Sequence, residues 1–176
     1  MKNQPPKILL TGPAGSGKTT IVINLAKLLK TKKIAGFYTE EIRSAGQRTG
    51  FALRTFNGAE ALLSSIHLHH GPRVGKYRVD VSAFEKVILG ELNPPPGLVD
   101  LFVIDEIGKM ECFSSAFIQA TTRILEGVTP LVATVALKGE GFIKEVKSRQ
   151  GVVIIGVTVA NRGRLPQMIV GRLGLL

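Results

Sequence analysis

The sequence predicts an α/β fold, a mainly parallel sheet with helices on both faces, from three observations. The apolar run 7–11 leads through a glycine-rich turn into a helical pattern. A second apolar run ends in two adjacent carboxylates, Asp105 and Glu106. From there on, runs rich in Val, Ile and Leu alternate with helical patterns. Such alternation is typical of parallel strands joined by crossover helices, and continuous apolar strands fit a sheet buried on both faces.

The individual elements can be predicted in order along the chain. The most distinctive feature of the first half is an antiparallel hairpin insertion around the turn 44–49. Ser82 is the expected N-cap of the second helix, because Glu85 follows three residues later as in a capping box. The predicted elements are helix 20–29, hairpin strands 34–43 and 50–56, less regular strands 61–68 and 75–80, helix 83–92, strand 101–107, helix 115–126, strand 131–137, helix 142–149, strand 152–159 and helix 165–173.

Size and composition are those of an ordinary globular protein. The 176 residues are 44% hydrophobic and 20% charged, so we expect one domain, residues 1–176. No apolar stretch reaches the ~20 residues that cross a bilayer, and the N-terminus has no signal-peptide core. The single cysteine, Cys112, forms no internal disulfide, which agrees with a reducing compartment. We therefore expect a cytoplasmic monomer that does not bind membranes.

The charge balance favours anionic ligands. Lys and Arg number 23 against 13 Asp and Glu, which gives a net charge of +10. Such a charge attracts phosphates and leaves nucleic-acid binding open. Only 6% of the residues are aromatic, however, so the chain offers few stacking platforms for single-stranded nucleic acid. Nucleic acid is therefore a less favoured partner than a small phosphate-bearing ligand.

The glycine-rich turn fits the phosphate-loop (P-loop, Walker A) pattern Gly-x4-Gly-Lys-[Ser/Thr] in every fixed position. Gly12 and Gly17 allow the backbone to turn its N–H groups toward an anion at the N-terminus of a helix. Lys18 adds a positive charge for the outer phosphates, and the Thr19 hydroxyl can ligate Mg²⁺. The nucleotide-binding residues expected in this segment are Gly12, Pro13, Ala14, Gly15, Ser16, Gly17, Lys18, Thr19 and Thr20.

The carboxylate pair after the run 101–104 has the appearance of a Walker B segment. In open α/β sheets ligands bind outside the carboxyl ends of the strands, where both the glycine-rich turn and this pair would arrive. Asp105 is placed to hold Mg²⁺, through a water because that ion keeps much of its hydration shell. Glu106 is then free to orient a water and take its proton. The alternative is an acidic strand end that only caps the next turn.

The long separation between Lys18 and Asp105, together with the extra Glu106, resembles the branch of P-loop ATPases in which another strand lies between the two motif strands. The expected fold is thus the three-layer P-loop NTPase fold of the RecA-like, additional-strand type. The run 131–137 is the candidate for that strand. Its Thr134 could present a hydroxyl near the γ-phosphate or, alternatively, be an ordinary core threonine.

Several segments together resemble the small P-loop nucleoside-triphosphatases first described from thermophiles, a family that includes the cancer-related nucleoside-triphosphatase of animals. The run Asp-Glu-Ile-Gly-Lys-Met-Glu at 105–111 is far more specific than a generic Walker B segment. The resemblance covers nearly the whole chain. The other segments that carry it are 36–43, 48–51, 75–77 and 161–162.

The resemblance implies Mg²⁺-dependent hydrolysis of ATP, GTP, CTP, UTP and TTP to diphosphate and phosphate with little base preference. Lys109 could neutralise charge on the γ-phosphate in cis, as an arginine finger does elsewhere, or form an ion pair with Glu40, Glu41 or Glu111. Arginines are further candidates for phosphate or base contacts, with plain surface charge as the alternative. They are Arg43, Arg48, Arg162 and Arg164.

Two other functions share the same phosphate loop. A nucleotide or nucleoside kinase would have the loop, but Glu106 and the absence of a recognisable arginine-bearing lid favour hydrolysis. A nucleotide-gated module that binds RNA or a protein would explain the basic charge and the hairpin insertion. The nucleoside-triphosphatase interpretation accounts for the carboxylate pair as well, so it is the primary hypothesis.

Overall fold

A computed structural model describes residues 5–175. Within this range nine strands form one sheet, and helices cover both of its faces. The strands are β1 (Lys7–Thr11), β2 (Ile34–Ser44), β3 (Gln47–Thr55), β4 (Glu60–Ser65), β5 (Arg73–Val74), β6 (Tyr77–Val79), β7 (Leu101–Ile107), β8 (Leu131–Val135) and β9 (Val152–Gly156). The helices are α1 (Lys18–Leu28), α2 (Val81–Leu92), α3 (Ser115–Glu126), α4 (Phe142–Ser148) and α5 (Leu165–Leu173).

The parallel part of the sheet has the strand order β2, β7, β8, β1, β9. β8 lies between β1, which leads into the glycine-rich turn, and β7, which carries the two carboxylates. The prediction of a mainly parallel α/β sheet with an additional strand between the two motif strands is therefore confirmed. β8 and β9 end earlier than predicted, because the apolar residues that follow each strand belong to loops.

The antiparallel part extends the sheet beyond β2 and is larger than predicted. β3 pairs with β2 as the expected hairpin, and β4, β6 and β5 continue outward from it. The turn shrinks to Ala45 and Gly46, because Ser44 pairs with Gln47. Polar residues such as these are compatible with an exposed hairpin end, so composition alone suggested a longer turn than the backbone adopts.

Two hydrophobic cores hold the helices against the sheet. Successive strand residues face opposite sides, so Leu9 packs toward α2, α3 and α4, whereas Ile8 and Leu10 pack toward α1 and α5. Phe37 and Phe84 meet edge to face in the first core, with ring centroids 5.6 Å apart. None of the helices between residues 5 and 175 has both the length and the apolarity needed to cross a bilayer.

The start of α2 corrects one prediction. The helix begins at Val81, and its N-cap is Asp80, whose carboxylate accepts a hydrogen bond from the Ala83 amide at 2.9 Å. Ser82, the predicted cap, lies inside the first turn. Both side chains can cap a helix, and Asp80 does so because the strand β6 ends immediately before it. Glu85 accepts a hydrogen bond from the Ser114 hydroxyl instead of closing a capping box.

Candidate active site

The glycine-rich turn, residues 12–17, joins β1 to α1 along one wall of a cavity of about 810 Å³. Gly17 is the N-cap of α1 and has φ of 100°, a left-handed conformation that favours glycine. The Lys18 ammonium donates hydrogen bonds to the carbonyl oxygens of Gly12 at 2.9 Å and Pro13 at 3.1 Å. The lysine thus lies over the loop, where it can exchange these carbonyls for the phosphates of a ligand.

Most of the predicted site residues line this cavity, and two do not. Ser16 lies behind the loop against Gly12. A Cβ added to Gly12 would lie 2.9 Å from the Ser16 hydroxyl oxygen and 2.9 Å from the Val157 carbonyl oxygen. Arg162 lies outside the cavity beside Gly17. The predicted residues that line the cavity are Gly12, Pro13, Ala14, Gly15, Gly17, Lys18, Thr19, Thr20, Asp105, Glu106 and Lys109.

Asp105 lies in the second half of β7 and is 2% exposed. Its carboxylate accepts hydrogen bonds from the Thr19 hydroxyl at 2.7 Å and from the Thr134 hydroxyl at 2.5 Å. Burial raises the pKa of Asp105, and the two hydroxyl donors partly oppose this rise. Thr134 therefore has a third role that the sequence did not suggest, because it contacts the carboxylate and does so from a buried position on β8.

Two further carboxyl groups lie next to Asp105, those of the half-buried Glu106 and the buried Glu111. A Cβ at Gly108 would be 2.8 Å from Oε1 of Glu106 and 2.9 Å from Oε2 of Glu111, so the two side chains flank this glycine. Burial, reinforced by the Asp105 charge, raises the pKa of Glu106. Burial and the charge of Glu106 raise the pKa of Glu111 to about 8. The sequence did not predict that Glu111 is a buried carboxyl group beside Glu106. The only signal was its place in the 105–111 segment.

Lys109 is exposed and lines the cavity. Of the acidic partners predicted as alternatives for it, Glu40 pairs with Arg54 at 2.6 Å and Glu41 pairs with Arg48 at 2.7 Å. Among the residues that the structure describes, Lys109 itself forms no ion pair. Its ammonium is thus available to a ligand in the cavity.

The cavity wall opposite the glycine-rich turn was not predicted as a unit. It belongs to β2, β3, β4, β5 and the segment after β7, and it combines four apolar side chains with polar and charged ones. Arg48 stands at its edge, where it donates to the Tyr77 hydroxyl at 2.9 Å and stacks over the Phe51 ring at 5.1 Å from the centroid. The apolar residues of this wall are Phe51, Leu63, Val74 and Met110.

The oxygen donors around Asp105 suit Mg²⁺. Within residues 5–175 no group of three or more His, Cys, Asp or Glu side chains could hold a metal ion. The Thr19 hydroxyl and the Asp105 carboxylate lie together beside the phosphate loop. Mg²⁺ is commonly held by one or two such protein ligands, with water and substrate phosphates completing its octahedron. Zinc or another metal that relies on several nitrogen or sulfur ligands fits poorly.

Comparison with known sequences shows which proteins this chain resembles. A family model described as NTPase matches residues 7–170. The nucleoside-triphosphatase THEP1 of Thermotoga petrophila is 39% identical over 159 residues, which cover 90% of this chain and 88% of the relative. The human cancer-related nucleoside-triphosphatase is 38% identical over 174 aligned residues, with 90% of this chain and 91% of the relative covered.

Comparison with solved structures gives the same result for the fold. The crystal structure of THEP1 from the hyperthermophile Aquifex aeolicus superposes with a TM-score of 0.87 at 34% identity, covering 95% of this chain and 98% of that one. The solution structure of a human cancer-related nucleoside triphosphatase superposes with a TM-score of 0.79 at 38% identity, covering 94% and 96%. The predicted P-loop NTPase fold is thus confirmed.

Proposed function

Because this chain belongs to the NTPase family and is a nucleoside-triphosphatase, we propose that it hydrolyses ATP, GTP, CTP, UTP and TTP to diphosphate and phosphate with Mg²⁺. One observation carries the proposal: the Thr19 hydroxyl meets the Asp105 carboxylate at 2.7 Å, in the cavity that Glu106 also lines. This contact joins the phosphate loop to the carboxylates, so metal, phosphates and an attacking water would share one place.

The phosphates would be held mainly by the backbone. The N–H groups of residues 14–19 are suited to the α- and β-phosphates, and the Lys18 ammonium to the β- and γ-phosphates. Thr19 and Asp105 would hold Mg²⁺, which supplies positive charge to the β- and γ-phosphate oxygens. Asp105 is buried with a raised pKa, so its negative charge is better accommodated when a cation is present.

Glu106 is the proposed general base. The oxygen of a water attacks the γ-phosphorus, the bond from that phosphorus to the bridging oxygen breaks, and the water proton passes to the Glu106 carboxylate. Burial and the neighbouring Asp105 raise the pKa of Glu106, which brings it nearer to the range in which a carboxylate is an effective base at neutral pH. Lys109 would balance the charge that builds up on the γ-phosphate.

Broad base specificity follows from where the charged groups are. Lys18 and Lys109 are charged side chains that line the cavity, and both would contact the triphosphate. Contacts of this kind are the same for every nucleoside triphosphate. Discrimination of one base by a factor of 10⁴ or more requires side chains placed to hydrogen-bond its edge. Of the polar side chains that line the cavity, Glu40 is paired with Arg54 and Glu41 with Arg48.

The test is Mg²⁺-dependent phosphate release from the five nucleoside triphosphates. Glu106→Gln is expected to bind nucleotide almost as the wild type does and to lower kcat about a hundredfold or more, because it removes the base. Lys18→Ala is expected to weaken binding and turnover together. Glu140→Gln, a change at an exposed carboxylate, is the matched control. Wild-type turnover by Glu106→Gln would show that another group takes the proton, and activity unaffected by EDTA would refute the metal requirement.

A nucleotide or nucleoside kinase is the second candidate, favoured by the four apolar side chains of this wall. The phosphate chain of a nucleotide has no apolar surface that could pack on Phe51, Leu63, Val74 and Met110. The ring of an organic phosphoryl acceptor would pack on them. The two candidates separate in one assay with [γ-³²P]ATP and a panel of nucleosides and nucleoside monophosphates. Labelled acceptor that forms faster than free phosphate would establish the kinase; unchanged phosphate release without labelled acceptor supports the hydrolase.

A further inference from the structure

The loop 136–141 connects β8 to α4 at the edge of the sheet where the phosphate loop and the carboxylates meet. Because β8 lies between β1 and β7, this loop begins between the ends of those two strands. Ala136, Leu137 and Lys138 line the same cavity as Glu106. A γ-phosphate placed for attack by a water on Glu106 therefore lies beside the 136–141 loop, whereas the phosphate loop itself holds the α- and β-phosphates.

The backbone at the start of this loop is held from two directions. The Ala136 amide donates to the Ile107 carbonyl oxygen at 3.1 Å, which ties the loop to the end of β7. From α4 the half-buried Lys147 donates through Nζ to the carbonyl oxygens of Ala136 at 2.5 Å and Leu137 at 2.9 Å. An ammonium that bridges two successive carbonyls fixes the orientation of both peptide planes. The next residue, Lys138, therefore leaves the loop in a defined direction.

Lys138 lies between these hydrogen bonds and a point of close packing. A Cβ at Gly139 would lie 2.7 Å from Cδ1 of Ile143, so the backbone there packs directly against α4. The Lys138 side chain is exposed, and in the described part of the chain it takes part in no ion pair or hydrogen bond. Glu140 of the same loop is paired with Lys144 instead, at 3.9 Å. Since the backbone is already fixed, only the Lys138 side chain has to be ordered when an anion binds.

We propose that Lys138 binds the γ-phosphate of a nucleoside triphosphate and that Lys147 positions it by holding the 136–141 loop. The inference rests on the proposed function, because it assumes a triphosphate on the phosphate loop. Lys18 serves both the β- and the γ-phosphate, so it contributes to the binding of a diphosphate as well. Lys138 would contact only the phosphate that hydrolysis removes. The contact would thus favour the substrate over the nucleoside diphosphate product.

The first experiment compares two ligands that differ by the γ-phosphate. Binding of ADP and of the nonhydrolysable analogue β,γ-imido-ATP, each with Mg²⁺, is measured by calorimetry for the wild type and Lys138→Met. Methionine keeps an unbranched side chain and removes the ammonium. Lys138→Met is expected to raise the Kd of β,γ-imido-ATP about five- to thirtyfold and to change that of ADP less than about twofold. Lys144→Met, the same change at an exposed lysine of α4, is the control and should bind both ligands as the wild type does.

The second experiment tests the positioning role of Lys147 with a double-mutant cycle. Lys147→Met is expected to raise the Kd of β,γ-imido-ATP about three- to tenfold without weakening ADP binding. Lys147→Arg keeps charged donors for the two carbonyls and should restore most of the lost affinity. In the Lys138→Met background, Lys147→Met should cause no further loss, because no ammonium is left to position. Thermal melts in EDTA verify folding, and Lys147→Gln replaces Lys147→Met if the latter does not fold.

Every other result overturns the inference. Unchanged β,γ-imido-ATP binding by Lys138→Met would place the γ-phosphate away from the loop, and an equal loss of ADP affinity would mean that Lys138 does not recognise the γ-phosphate. Additive losses in the double variant, or no rescue by arginine, would mean that Lys147 does not act through Lys138. None of these measurements needs turnover. A wild type that binds β,γ-imido-ATP through Lys138 but releases no phosphate from ATP would therefore refute the proposed hydrolysis alone.

Discussion

Replacing Thr134 by valine tests the arrangement around Asp105 most directly. The Thr134 hydroxyl donates to Oδ1 of Asp105 at 2.5 Å, and the Thr19 hydroxyl donates to Oδ2 at 2.7 Å. When Mg²⁺ binds, the Thr19 oxygen is expected to become a ligand of the metal, so Thr134 remains as the side-chain donor that orients the carboxylate. Valine has nearly the shape of threonine, so Thr134→Val removes the donor without opening a cavity.

The size of the effect follows from the kind of hydrogen bond. A hydrogen bond to a charged group contributes about 1.5–3 kcal/mol, and loss of a partner that orients a metal ligand lowers metal affinity about ten- to hundredfold. Asp105 is 2% exposed, so no bulk water replaces the lost hydroxyl. We therefore expect the Mg²⁺ concentration for half-maximal phosphate release to rise about ten- to hundredfold, with kcat at saturating Mg²⁺ nearly unchanged.

The assay is a Mg²⁺ titration of phosphate release at saturating ATP, with thermal melts in EDTA to verify that each variant is folded. Thr134→Ser, which keeps the hydroxyl and loses one methyl group, is the matched control and should follow the wild-type titration. A wild-type Mg²⁺ dependence in folded Thr134→Val would show that the contact does not orient Asp105. Equal losses in both variants would trace the effect to packing.

Two further predictions concern stability. The pKa of Glu111 is raised from 4.5 to about 8, so the folded state binds the carboxyl proton more tightly than the unfolded state does. The stability that this proton contributes is present below pH 4.5 and is lost as the pH rises through 8. Glu111→Gln should therefore exceed the wild-type melting temperature at about pH 8 and lose that advantage near pH 4.5; an advantage independent of pH would contradict this. A Cβ at Gly36, where φ is 119°, would lie 1.9 Å from the Val103 carbonyl oxygen, so Gly36→Ala should cost more than about 3 kcal/mol of unfolding free energy in urea. Gly46→Ala, with φ of 76° and nothing within 4 Å, should cost only about 1–2 kcal/mol, and equal costs would contradict the clash.

The sequence predicted best where periodicity was strong. β7, α3 and α5 begin and end at the predicted residues, because long apolar runs and amphipathic patterns leave little choice of secondary structure. The start of α2 was wrong because two capping residues, Asp80 and Ser82, compete within three positions. The outer antiparallel strands were incomplete because β5 has only two residues, Arg73–Val74, which carry no detectable alternation.

The candidate site likewise has parts that the sequence could predict and contacts that it could not. The phosphate loop and the carboxylate pair could be predicted, because each is a contiguous segment at the end of a strand. The contacts of Thr134 and Glu111 could not, since they depend on distances between separate segments. Thr134 reaches Asp105 only because β8 lies between β1 and β7 in a register that pairs Thr134 with Leu10. Glu111 is buried because a short 3-10 turn, Glu111–Phe113, returns it beneath the end of β7.

The strand between the two motif strands has a chemical consequence. If β1 and β7 were neighbours, Thr19 would be the hydroxyl beside Asp105, and its departure to a metal would leave the buried carboxylate without that donor. With β8 between them, the Thr134 hydroxyl donates a hydrogen bond to the other oxygen of Asp105. This hydrogen bond depends on neither metal nor nucleotide. Thr19 can therefore exchange Asp105 for Mg²⁺ while one oxygen of the carboxylate stays fixed. The Mg²⁺ titrations of Thr134→Val and Thr134→Ser measure this separation of roles, because only the variant without the hydroxyl lacks the second donor.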